Sequence, residues 1–136
     1  MSDFISTGAV SHVTLTVTNL QRSLSFYRDL LGFETVMPLG PTRMLLSNGS
    51  TILAVGEAPD PSRALADDHF DENRVGLDHL SLRVNSRSDL ERAVKIFDED
   101  GISHGEIKDL GADLGMYVLA FRDPDNIQLE LTAMYE

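Results

Sequence analysis

An internal repeat limits what this chain can fold into. Ser11-His12-Val13-Thr14-Leu15-Thr16-Val17 and Asp78-His79-Leu80-Ser81-Leu82-Arg83-Val84 begin alike. Both alternate polar and apolar residues with period 2, the pattern of a strand whose two faces meet different surroundings. Each histidine opens the polar face of its strand. The two lie 67 positions apart in a chain of 136 residues, close to half its length.

An amphipathic helix is expected after each strand. In the first half, Leu20, Leu24, Tyr27 and Leu31 follow helical spacing, Asn19 suits the N-cap, and Gly32 suits the C-terminal turn. In the second half, Leu90, Val94 and Phe97 share a face, Ser88-Asp89-Leu90-Glu91 reads as a capping box, and Gly101 ends the helix. Three strand-like stretches follow each helix: 33–37, 43–46 and 51–55, then 103–108, 116–121 and 127–132. Asn48-Gly49 is a strong hairpin signal, and Asp123-Pro124-Asp125-Asn126 marks the last turn. Each half therefore reads βαβββ. The polar, acidic stretch 57–76 is a linker or mobile flap between module one, about 8–56, and module two, about 77–134. The fold class is α+β: two tandem βαβββ modules forming one curved mixed sheet around a central cleft, with the helices on its apolar face.

Strand parity selects the cleft residues. His12, Thr14 and Thr16 share one face, as do His79, Ser81 and Arg83. On the last strand, Gln128, Glu130 and Thr132 alternate with Ile127, Leu129 and Leu131. A glutamate in mid-strand is disfavoured and costly to bury, and a cation would offset that cost. The chain has no cysteine, so disulfides are excluded and any metal must use nitrogen and oxygen donors. His12, His79 and Glu130 form such a set. Two imidazoles and one carboxylate leave positions open for substrate, which suits Fe(II) or Mn(II), with Zn, Ni and Co also compatible. A lone strand histidine is usually structural. The repeat relation and the shared face favour the metal reading for this set. His69 and His104 are left without a role.

Composition narrows the partners. There are 22 acidic against 11 basic residues and a net charge of −11. Such a surface repels nucleic acid and anionic membranes. No apolar run suits a bilayer span, and Met-Ser-Asp-Phe lacks the features of a signal peptide, so a cytoplasmic location is expected.

With these motifs the chain resembles the vicinal-oxygen-chelate superfamily of glyoxalases, bleomycin-resistance proteins and extradiol dioxygenases. The resemblance covers nearly the whole chain. It rests on Ser-His-Val-Thr-Leu-Thr-Val, on Leu24-Ser25-Phe26-Tyr27-Arg28-Asp29-Leu30-Leu31-Gly32-Phe33, on Asp-His-Leu-Ser-Leu, and on Phe121-Arg122-Asp123-Pro124-Asp125 leading to Leu129-Glu130-Leu131. It implies ligands on the first and last strand of each module: His12, His79, Glu130 and, in the fourth slot, Ala54. Alanine neither chelates nor moves a proton there, which argues against glyoxalase I or epimerase chemistry. Glu57 falls on the other face by parity. The remaining set resembles that of extradiol dioxygenases and fosfomycin-resistance transferases. This chain departs from the first in Ala120 and Asn126, and from the second in having no arginine after Glu130.

The function expected is that of a metal-dependent, dioxygenase-like enzyme that chelates a small oxygen-rich substrate. Thr14, Ser81, Arg83, Tyr117 and Gln128 are the candidate substrate contacts, and no general base stands out. The alternative is a non-catalytic drug-binding protein of the bleomycin-resistance type, using Phe70, Met44 and Met116. Homodimerisation is implied by the resemblance alone.

Overall fold

Each repeat folds around its own four-stranded mixed sheet in a computed structural model that describes residues 3–136. The chain forms two units, Met1–Leu65 and Ala66–Glu136. The first holds β1 (Val13–Thr16), α1 (Leu20–Ser25), β2 (Glu34–Pro38), β3 (Arg43–Ser47) and β4 (Ile52–Gly56). The second holds β5 (Leu80–Val84), α2 (Arg87–Asp100), β6 (Lys108–Asp109), β7 (Met116–Arg122) and β8 (Gln128–Met134). Strand orders are β1-β4-β3-β2 and β5-β8-β7-β6. In each unit the first strand lies parallel to the last, and the other pairs are antiparallel. The tandem βαβββ architecture and the α+β class are therefore those read from the sequence.

In the first unit Leu15, Val17, Leu24, Leu46, Leu53 and Val55 form the core. The expected single helix changes its winding after Ser25, and Phe26–Leu30 is a π-turn. The wider turn changes the phase, so that adjacent Phe26 and Tyr27 are both buried, edge to face at 5.1 Å. Asn19 caps α1 by accepting from the Arg22 N–H at 3.0 Å. Glu57, just beyond β4, accepts from the Leu20 N–H at 3.0 Å. A carboxylate at that end also complements the helix dipole.

In the second unit Phe97 of α2 stacks on Phe121 of β7 at 4.6 Å, and Leu90, Leu119, Leu129 and Ala133 are fully buried. Two expectations are corrected. The capping box is Ser86 with Asp89, whose carboxylate accepts from the Ser86 N–H at 3.1 Å. Ser86 is the extended residue before the helix, and Ser88 lies inside the first turn. The strand expected at 103–108 shrinks to Lys108–Asp109, with an isolated bridge from His104 to Phe121. There the His104 ring is tied back to α2 through Asp98 at 2.6 Å, and the ladder resumes only at Lys108.

The stretch 57–76 contains the boundary between the two units, at Leu65 and Ala66. Its second half is fastened to the β7–β8 turn. The Phe70 N–H donates to the Asp125 carbonyl at 2.8 Å, and the Asn126 amide donates to the Phe70 carbonyl at 2.9 Å. Glu72 takes two bonds from the Arg122 guanidinium, at 2.8 and 2.9 Å. Asn126 has φ +66, a left-handed conformation that asparagine tolerates better than most residues. Its side chain then does what glycine could not, holding the loop. Among the described residues, no helix is long and apolar enough to cross a membrane.

Candidate metal centre

The register of the second sheet sorts its residues by face. Ser81 of β5, Glu130 of β8 and Ala120 of β7 form one cross-strand row. Arg83, Thr132 and Val118 form the next. Gln128 and Arg122 form the row on the other side of Glu130. All lie opposite the face covered by α2, where Leu119, Phe121, Leu129 and Leu131 are buried.

His79 immediately precedes β5, one residue outside the strand. Its Nε2 lies 3.6 Å from Glu130 Oε1, and its Nδ1 lies 2.8 Å from Asp78 Oδ1. A carboxylate only accepts, so Asp78 holds a proton on Nδ1, and Nε2 is the ring atom that faces Glu130. Asp78 is itself held by Gln128, whose amide donates to its Oδ1 at 3.0 Å and to its carbonyl at 3.1 Å. Arg122 donates to Gln128 Oε1 at 3.4 Å and continues to Glu72. On the other side, Thr132 Oγ1 lies 3.4 Å from Glu130 Oε1 and 2.5 Å from Ser81 Oγ. One polar chain thus runs from Glu72 through Arg122, Gln128, Asp78, His79, Glu130 and Thr132 to Ser81. The Arg122 bonds hold the Glu72 carboxyl at about 2, well below its ordinary 4.5.

Of the expected contacts in this unit, Ser81, Arg83 and Gln128 share the Glu130 face. Tyr117 does not. It pairs with Ala133 and Asp109, beneath the Arg87 guanidinium at 4.9 Å and beside Tyr135. Gln128 holds Asp78 in place. Asp78 itself was missed by sequence reasoning; its only signal is that it precedes a repeat histidine, as Ser11 does.

In the first unit, His12 immediately precedes β1, and its Nδ1 lies 3.0 Å from Ser11 Oγ. Both repeat histidines therefore engage the preceding side chain through Nδ1. Thr14 is exposed and pairs with Ala54, as Ser81 pairs with Glu130. Ala54 thus holds the position equivalent to Glu130 and is buried. Glu57 is engaged at the helix end and is not a substitute for it. Met44 pairs with Val55 on the core face, whereas Met116 shares the Glu130 face. Among the described residues, no group of three or more histidine and acidic side chains is gathered closely enough to hold a metal ion. His79 and Glu130 make a pair, and their nitrogen and oxygen donors fit two positions of a divalent-ion site.

Residues 9–131 match the family model of the Glyoxalase/Bleomycin resistance protein/Dioxygenase superfamily, and the chain belongs to that superfamily. It is similar to a glyoxylase/bleomycin resistance protein/dioxygenase domain from Frankia sp. EAN1pec, with 32% identity, a TM-score of 0.79, and coverage of 96% of this chain and 95% of that one. The fold is shared with a lactoylglutathione lyase from Agrobacterium tumefaciens, at 22% identity and a TM-score of 0.72, covering 93% and 94% of the two chains. A curated relative, a catechol-2,3-dioxygenase from Bacillus subtilis (strain 168), is 27% identical over 124 residues, or 91% of this chain. The match spans only 41% of that relative's length.

Proposed function

We propose that this chain is a divalent-metal-dependent enzyme that acts on a small, oxygen-rich substrate. The observation that carries the reading is the His79–Glu130 pair, with the imidazole fixed by Asp78 so that Nε2 faces the carboxylate at 3.6 Å. His79 and Glu130 would hold the ion with His12, the repeat-related histidine of the first unit. Fe(II) or Mn(II) suits this donor set, in which no carboxylate replaces Ala54. The bound ion would supply Lewis-acid polarisation of two adjacent substrate oxygens, with open positions for them.

The protein's own groups have separable tasks. Asp78 keeps the proton on His79 Nδ1. Thr132 and Ser81 steady the Glu130 carboxylate and its orientation. Ser81, Arg83 and Thr14 are proposed to contact the substrate. Tyr117, on the opposite face, is left out of this set. No side chain in the set is placed as a general base, so the reading favours dioxygenase-like chemistry over isomerisation. The likeness to a catechol-2,3-dioxygenase supports that direction.

The test is anaerobic titration of metal-free protein with Fe(II) and Mn(II), followed by turnover of a catechol panel. We expect one ion per chain, lost in His79→Ala, Glu130→Ala and His12→Ala. Absence of metal binding in the parent would overturn the reading. Tight binding of an organic ligand that persists in chelator, with no turnover, would instead make the chain a non-catalytic binding protein.

A further inference from the structure

The face of the first sheet that carries Thr14 and Ala54 also carries an arginine. Thr16 of β1, Gly56 of β4 and Arg43 of β3 form one cross-strand row. The row lies two residues along the strands from Thr14, Ala54 and Leu45, a step of roughly 7 Å. The Arg43 side chain leans across β4. A Cβ on Gly56 would meet Arg43 Nε at 2.8 Å, with Arg43 Cβ and Cγ both at 3.0 Å. The Gly56 backbone is not in the left-handed region, so its conformation does not call for glycine. The Arg43 side chain does. A glycine inside a strand marks such a close approach.

Arg43 is half-buried as a residue, yet its guanidinium makes no ion pair or hydrogen bond among the described residues. This is unusual in a chain with twice as many acidic as basic residues. Taking a cation out of water without a partner is unfavourable, and the planar fork of arginine matches carboxylate and phosphate oxygens two at a time. The hydroxyls of Thr14 and Thr16 on β1 are exposed and likewise have no hydrogen-bond partner among the described residues. On β3, Leu45 lies beside Ala54, and Met37 of β2 lies beside Leu45, giving an apolar flank next to the cation.

We propose that Arg43, laid over Gly56 and flanked by Thr14 and Thr16, is an oxyanion-binding site. It would take a small molecule with a carboxylate or phosphonate on an apolar body. Every residue of the site belongs to the first unit, and it is tested on metal-free protein. The probes are benzoate, phenylphosphonate and neutral benzamide, followed through the arginine side-chain N–H resonances. We expect benzoate or phenylphosphonate, and not benzamide, to shift the Arg43 Nε–H signal saturably at millimolar concentration. The stronger of the two anions identifies the class. Arg43→Met, which keeps the apolar stem, should weaken binding by roughly tenfold or more. Arg43→Lys should fall in between. If Arg43→Met does not fold, Gly56→Ala serves, because its methyl group displaces the guanidinium. Unchanged anion binding in these variants, or no shift of the Arg43 signal in the parent, would overturn the proposal. Metal uptake by the same protein is measured separately and bears only on the metal reading.

Discussion

Ala54 and Glu130 hold equivalent positions in their units, Ala54 as the register partner of Thr14 and Glu130 as that of Ser81. Each lies on the last strand of its unit, two residues beyond the position that opens the antiparallel ladder, Ile52 against Ser47 and Gln128 against Arg122. Only Glu130 is met by hydroxyl and imidazole groups; Ala54 is 2% exposed. The two units share one backbone plan and differ in what that plan presents.

Ala54→Glu should therefore be costly without metal. An ionised carboxylate placed at a nearly inaccessible position loses hydration, and the expected destabilisation is about 2 kcal/mol or more. Chemical denaturation of metal-free Ala54→Glu and of the parent measures it. If Ala54 occupies the vacant ligand position, Mn(II) should recover more stability in the variant than in the parent. An Ala54→Glu protein as stable as the parent in chelator would contradict the burial argument.

Asp78→Ala should alter His79 before it alters anything else. Without the acceptor at 2.8 Å the ring is free to carry its proton on Nε2, the atom that faces Glu130. Nitrogen-15 spectra of the imidazole should show this tautomer change in metal-free protein. Divalent-ion affinity should fall roughly 10- to 100-fold, the usual effect of losing such support. Asp78→Asn keeps an acceptor oxygen and should restore much of it.

The repeat and the strand alternation made the positions of His12, His79 and Glu130 legible in the sequence, because polar and apolar residues take turns in β1, β5 and β8; Ala54, in the uniformly apolar Ile52–Gly56, was singled out through the family resemblance. Tyr117 was misplaced because its strand, Met-Tyr-Val-Leu-Ala-Phe, is apolar throughout and carries no alternation to read. Only its pairing with Ala133 shows the side it faces. Asp78 was missed because its anchor, Gln128, is 50 residues away. The π-turn at Phe26–Leu30 has no compositional mark, and the helical spacing of Leu20, Leu24 and Tyr27 fits either winding. The role of Glu57 was open to parity only in part. That it leaves the Ala54 face could be read, but not that it ends at the Leu20 N–H.

The Glu72–Arg122 bond makes the loop at residues 70–72 sensitive to acid. The Glu72 carboxyl titrates at about 2 when folded and at 4.5 ordinarily. A carboxyl with a depressed folded value adds stability above its ordinary value, and that stability is lost as pH falls toward the folded one. The melting temperature of Glu72→Gln should lie below that of the parent at neutral pH. The gap should narrow between pH 4.5 and about 2. Thermal melts across that range measure it, and a gap that stays constant would show that the carboxylate charge is not what holds the loop.

His104 should show the opposite sign. Its Nε2 lies 2.6 Å from Asp98 Oδ1 and its Nδ1 lies 2.6 Å from the Gly105 carbonyl. Both partners only accept, so the ring satisfies both only as the imidazolium. The Asp98 bond, then the Gly105 bond, raise its titration above the ordinary 6.5. A histidine with a raised folded value adds stability that is fully present below the ordinary value and is lost as pH rises through the folded one. Asp98→Asn should lower the His104 midpoint in a proton NMR titration. The parent should melt above Asp98→Asn near pH 6, where the parent ring is charged, and the difference should shrink in alkaline buffer. Because His104 also rests against Phe97 at 5.8 Å, a packing role alone would leave that difference independent of pH. The pH dependence separates the two.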